Sequence, residues 1–132
     1  MTRTEPAHTG ARTATTIRAV QVAAVLTVLS LLWQFSTAGH YLADGTGYNL
    51  HKYGAVVVHG TTFLLVVATF LHSRAGGPRW PVIVSALVFV CTFVQAAVGH
   101  AKNLSAHVPG ALVLTVGIVW LTAWSFTRAV RR

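Results

Sequence analysis

The chain has 132 residues, enough for one domain. Apolar residues make up 54% and charged residues 9%, far below the roughly 25% charged content of a soluble domain, which excludes that class. A net charge of +8 invites a nucleic-acid reading, but the basic residues sit between and beyond long apolar runs, so nucleic acid is not an expected partner.

Residues 1–16 are rich in Thr and Ala, contain Pro6 and Gly10, and read as a flexible cytoplasmic tail. The following "AAVLTVLSLLW" and "STA" resemble a secretory signal with a cleavage site, yet the apolar run is long, and an uncleaved first span over 17–42 fits better. Further spans are expected at about 52–72, 80–100 and 107–127. Each is close to the ~20 residues a helix needs to cross the hydrocarbon core. None contains Asp or Glu. Backbone groups in lipid must be satisfied within the segment, so these are helices. The expected fold is an all-α membrane protein, a four-transmembrane-helix antiparallel bundle occupying 17–127, with 128–132 as a basic end.

The linkers carry turn chemistry. "ADGTGYN" is glycine-rich, and "SRAGGPR" offers Gly76 and Gly77 for positive φ with Pro78 to stop the helix. Pro81 and Pro109 are each expected in a first helical turn, where a missing N–H costs little. Tyr41, Tyr48 and Tyr53 gather at one boundary, and Trp80 and Trp124 mark the other, as aromatic belts do. Arg3, Arg12, Arg18, Arg74, Arg79, Arg128, Arg131 and Arg132 all fall on one side, against Lys52 and Lys102 on the other. That asymmetry predicts a multi-pass protein of the cell membrane with both termini cytoplasmic. Cys91, mid-span, reads as a small hydrophobe.

Two stretches echo each other: "QFSTAGHYLADGTGYNLHKYGAVVV" and "QAAVGHAKNLSAHVPGALVL". Gln34, Gly39, His40, His51, Gly54, Ala55 and Val57 correspond to Gln95, Gly99, His100, His107, Gly110, Ala111 and Val113, with a one-residue slip between Gln and His. The bundle is therefore expected to consist of two pseudo-repeated helical hairpins.

Ionisable side chains in membrane helices are costly and tend to face a functional interior. A six-coordinate haem needs one imidazole from each side and a slot for the flat macrocycle. The repeat places His51 and His107 at equal depth. Gly54 and Gly110 follow each histidine by three residues, about 60° around the helix, and Ala55 and Ala111 follow by four. Val58 and Thr62, with Leu114 and Ile118, continue an apolar wall beside this notch. Lys52 and Lys102 are placed to meet propionates at the water boundary. His59, roughly 12 Å deeper than His51, has no counterpart in the second hairpin. It is expected to bond a helix neighbour or meet the edge of a bound ring, and His72 to reach the headgroups. A lone histidine at a helix end is ordinarily an interfacial cap, and Gln34 and Gln95 read as interhelical hydrogen-bonding groups. The recurrence with glycine at the same offset favours ligation for the pair.

"VQAAVGHAKNLSAHVPGALVL", echoed by "WQFSTAGHYLADGTGYNLHKYGAVVVHG", resembles one half of a haem A synthase. Residues 33 to about 125 also resemble an uncharacterised bacterial family of small four-span membrane proteins. The first resemblance implies a four-helix bundle in which His51 and His107 hold haem. The chain is half the synthase length, so it provides one bundle or dimerises, and it lacks the intramembrane glutamate of the synthases: its only acids are Glu5 and Asp44.

The leading expectation is a membrane-embedded b-type haem protein, bis-histidine ligated near the outer face, serving electron transfer or haem handling. Its expected partners are the lipid bilayer, haem, a membrane redox partner or quinone, and a second copy of the chain. A copper or zinc site built from His40, His51, His100 and His107 is the alternative, and a small accessory subunit of a membrane complex is a third. With no nucleophile–base pair or phosphate loop, the chain reads as a binder rather than an enzyme by itself.

Overall fold

A computed structural model describes the backbone of residues 6–130 and the side chains of residues 10–127. Readings placed on residues 1–5 and on the side chains of Arg128, Arg131 and Arg132 fall outside the described residues. Four helices account for nearly all of it: α1 (Pro6–Asp44), α2 (Tyr48–Arg74), α3 (Trp80–His100) and α4 (Leu104–Val130). All four are long and apolar enough to cross a membrane. No strand occurs among the described residues. The expected all-α four-helix bundle is the architecture observed.

Each helix touches the next, and α1 closes against α4, while α1/α3 and α2/α4 face each other across the diagonals. The α1–α2 and α3–α4 turns define one end, here the hairpin end. The α2–α3 turn lies at the opposite end, called the terminal end, with the start of α1 and the end of α4.

Residues 10–16, expected in a flexible tail, instead form early turns of α1. Alanine favours helix, and the threonine hydroxyls bond back to it, Thr15 to the Ala11 carbonyl at 3.1 Å and Thr16 to that of Arg12 at 3.0 Å. Thr13 is buried and donates to the Ala75 carbonyl in the α2–α3 turn at 2.8 Å. Docking on that turn orders a stretch whose composition alone reads as loose.

Gly76 takes the expected positive φ, 95°, but Gly77 does not. Gly77 is needed for closeness: a Cβ there would overlap the His72 ring. Pro81 lies in the first turn of α3 as expected. Pro109 does not, because α4 starts at Leu104 and puts it in the second turn. The α3–α4 link is a Schellman closure, with Lys102 N–H on the Gly99 carbonyl at 3.0 Å and Asn103 N–H on that of Val98 at 3.2 Å. Lys102 occupies the left-handed position at φ 56°. Asn103 then caps α4, its Oδ1 accepting from Ala106 N–H at 3.2 Å.

The apolar core sits at the terminal end: Ile17, Val20, Ala23 and Ala24 of α1, Leu65 and Ala68 of α2, and Leu121 and Trp124 of α4, with Trp80 and Val84 of α3 against them. Trp124 thus belongs to the core and not to an aromatic belt. Tyr41, Tyr48 and Tyr53 are exposed near the hairpin end. Small hydroxyl residues bring helices close, with Ser30 3.0 Å from Thr61 midway and Thr69 2.8 Å from Ser85 nearer the terminal end. Packing thins toward the hairpin end. Along α4, Ile118 is the first fully buried residue, and Gly110, Ala111, Leu114, Thr115 and Gly117 are half-buried.

Candidate functional site

His51 lies in the first turn of α2 and His107 in the first turn of α4, both half-buried. These helices are diagonal, so the two imidazoles approach across the bundle, with ring centroids 6.4 Å apart and planes at 78°.

Each histidine is held by the helix before it. His51 Nδ1 lies 3.2 Å from the Gln34 carbonyl of α1, with Thr37 Oγ1 at 3.3 Å. His107 Nδ1 lies 3.0 Å from the Gln95 carbonyl of α3. A carbonyl can only accept, so the proton of each neutral ring sits on Nδ1, and Nε2 keeps its lone pair. No hydrogen bond to either Nε2 occurs among the described residues. A second-sphere carbonyl on Nδ1 with a free Nε2 is the usual arrangement of a metal-ligating histidine.

The glutamine side chains explain the glycines differently from the sequence reading. A Cβ on Gly54 would overlap the Gln34 amide, and one on Gly110 would overlap the Gln95 amide. The notch expected to admit a macrocycle beside each ligand is therefore filled by an amide. Gln34 donates to the His51 carbonyl at 2.9 Å and accepts from Ala55 N–H at 3.3 Å. Gln95 Oε1 is buried without a hydrogen-bond partner. Gln34 thus bridges helices through its side chain while the Gln95 amide makes no hydrogen bond among the described residues, and the backbone carbonyls of both orient the histidines, a role the repeat pattern hinted at without specifying.

The one-residue slip in the repeat has a visible consequence. Gly99, four residues after Gln95, lies under the His107 ring, where a Cβ would come 2.9 Å from Cε1. Four residues after Gln34 stands Ala38, and Thr37 supplies the contact to His51. Gly39 faces open space. Thr37 and Gly99 went unassigned in the sequence reading because their partners lie on other helices.

His40 and His100 are exposed. Among the described residues no three of His, Cys, Asp or Glu come together to hold a metal ion. The four-histidine copper or zinc site is therefore not assembled: only His51 and His107 turn inward. Lys52 and Lys102 are exposed at the same end. Ala55 and Ala111 are half-buried, and Val58, Thr62 and Ile118 are buried, so the expected wall does face the interior.

His59 bonds a helix neighbour, its Nδ1 2.8 Å from Thr92 Oγ1 of α3. His72 does not reach for headgroups. It is 4% exposed, 3.0 Å from Thr16 Oγ1, and edge-on to Trp124.

No family model, curated protein or solved structure matches the chain significantly. The geometry just described and the motifs in the sequence are what bear on function.

Proposed function

We propose that this chain is a membrane haem protein that holds one b-type haem between α2 and α4, with His51 and His107 as axial ligands. One observation carries the reading: two imidazoles from diagonal helices meet across the bundle, each with Nδ1 on a glutamine carbonyl. Two metal–imidazole bonds of about 2.0 Å each, extended by the ring radii, separate the rings of a bis-imidazole centre by roughly 6 Å. The rings here stand 6.4 Å apart.

The surroundings favour the same reading. Half-buried Ala111 and Leu114 line α4 where the core has thinned. Lys52 and Lys102, exposed at the level of the pair, offer cations for propionates. The haem would supply one-electron chemistry, while the protein orients the ligands and excludes water. Glu5 and Asp44 are the only acids, and Asp44 is tied to the Thr46 amide in the turn at 2.8 Å. Electron transfer or haem handling suits such a site better than chemistry needing an intramembrane carboxylate. The arginine asymmetry supports cytoplasmic termini in the cell membrane, which puts the pair near the outer face.

The test is the absorption spectrum of detergent-purified protein after haem-replete expression, oxidised and then reduced. A low-spin Soret and α-band spectrum is expected. His51→Ala and His107→Ala should each abolish it, while exposed His100→Ala retains it, with circular dichroism confirming folded protein. A folded native chain with no Soret absorption overturns the proposal.

A further inference from the structure

His59 stands near the middle of α2 (Tyr48–Arg74), far from either water boundary. A charged imidazole is costly at that depth, so the neutral form is the relevant one. Its Nδ1 is 2.8 Å from Thr92 Oγ1, and the Thr92 hydroxyl donates to the Phe89 carbonyl at 2.6 Å. A threonine hydroxyl has a single hydrogen. Committed to Phe89, it leaves Thr92 only lone pairs to offer, so the His59 proton sits on Nδ1. Nε2 is then a bare acceptor in the membrane, with no hydrogen bond among the described residues.

The His59 ring belongs to an aromatic chain. Phe93 stacks on the His59 ring at 4.2 Å and 10°. Phe89 meets Phe93 edge-on at 5.1 Å, and Phe63 lies 5.7 Å from Phe89. Phe63 and Phe93 are 52% and 50% exposed, so this α2–α3 surface opens toward lipid. It presents flat rings beside one histidine, at a depth only a lipid-soluble molecule reaches.

We propose that this surface is a binding site for a lipid-soluble hydroquinone, one phenolic O–H donating to His59 Nε2 while its ring lies against Phe63 and Phe93. A lone pair needs a donor, and the phenylalanines favour an aromatic one. The oxidised quinone has only acceptors and would set lone pair against lone pair. An aliphatic alcohol lacks the ring. The site shares no residue with the His51–His107 pair, so its occupancy does not depend on haem.

The experiment uses the full chain, labelled with ¹⁵N-histidine, in lipid nanodiscs. It is titrated with decyl-ubiquinol, with the oxidised quinone, and with the hydroquinone dimethyl ether. Before any addition, His59 should show a protonated Nδ1 and an unprotonated Nε2. The hydroquinone should shift the Nε2 resonance and bind about tenfold or more tightly than either control, the size of one satisfied buried acceptor. Thr92→Val releases the Nδ1 proton to move to Nε2, so the preference for hydroquinone over quinone should collapse toward parity. His59→Phe keeps the aromatic surface and should lose the preference altogether, with circular dichroism checking the fold. Equal affinity of the native chain for quinone and hydroquinone overturns the proposal, as does an Nε2 protonated from the start. A resonance that follows the protein-to-lipid ratio and ignores the hydroquinone overturns it too, assigning the nitrogen to a second copy of the chain.

Discussion

Replacing Gly54 with alanine tests how the histidine end is built. A Cβ there would overlap the Gln34 amide and come 2.9 Å from Trp33 Cδ1. The amide must leave, losing its bonds to the His51 carbonyl at 2.9 Å and Ala55 N–H at 3.3 Å. Each such bond is worth about 0.5–1.5 kcal/mol net. Alanine returns about 0.5–1 kcal/mol of helix preference. The two lost bonds and the steric shift outweigh that gain, giving a net loss of about 1–3 kcal/mol. Gly60→Ala, in the same helix with nothing within 4 Å of its Cβ, keeps only the gain. The assay is equilibrium unfolding in mixed micelles with rising dodecyl sulfate, followed by far-ultraviolet circular dichroism. Gly54→Ala should lower the midpoint and Gly60→Ala should leave or raise it. Adding Gln34→Ala to Gly54→Ala removes the clash, so the double variant should be more stable than the sum of the singles by about 1 kcal/mol. Should Gly54→Ala and Gly60→Ala move the midpoint alike, the Gln34 socket is refuted.

Lys102→Gly should raise stability by about 1 kcal/mol in the same assay, because glycine carries no left-handed penalty. Thr13→Val removes the bond to the Ala75 carbonyl, so residues 10–16 should lose hydrogen-exchange protection while the span below them keeps it. Leu65→Ala, at a residue 0% exposed, should cost about 2–5 kcal/mol, whereas Val56→Ala, at 65% exposed, should barely move the midpoint. Trp124→Phe deletes a buried indole N–H that has no partner, so its cost should stay within about 1 kcal/mol, with no bond lost.

Much of the fold was legible in the sequence because length and polarity suffice for it. Apolar runs near membrane thickness, divided by "ADGTGYN", "SRAGGPR" and "AKNLS", leave little choice of helix number or order. Helix ends were less legible. α2 and α4 begin at Tyr48 and Leu104, a turn before the expected starts: Asn103 caps α4, whereas α2 follows left-handed Gly47 with no side-chain cap. The beginning of α1 was misread for a related reason: Thr13 and Thr16 look like loop residues until their hydroxyls meet Ala75 and His72.

At the candidate site, the repeat singled out His51 and His107, and these are the two that turn inward. The same repeat also raised His40 and His100, which the bundle leaves exposed. It misassigned Gly54 and Gly110 as well, because a glycine marks close approach without naming what approaches.

The sequence by itself determined four spans, their antiparallel order and a duplicated histidine hairpin. Each follows from properties local to the chain: hydrocarbon thickness, turn chemistry and recurrence. Only the tertiary structure decided that α2 and α4 are diagonal, that glutamine carbonyls hold both Nδ1 atoms, and that His59 meets Thr92 of α3. In lipid the outward face of a helix is as apolar as the inward one, so hydrophobic pattern does not tell them apart. Which histidine meets another, and which meets lipid, depends on how neighbouring helices rotate to pack.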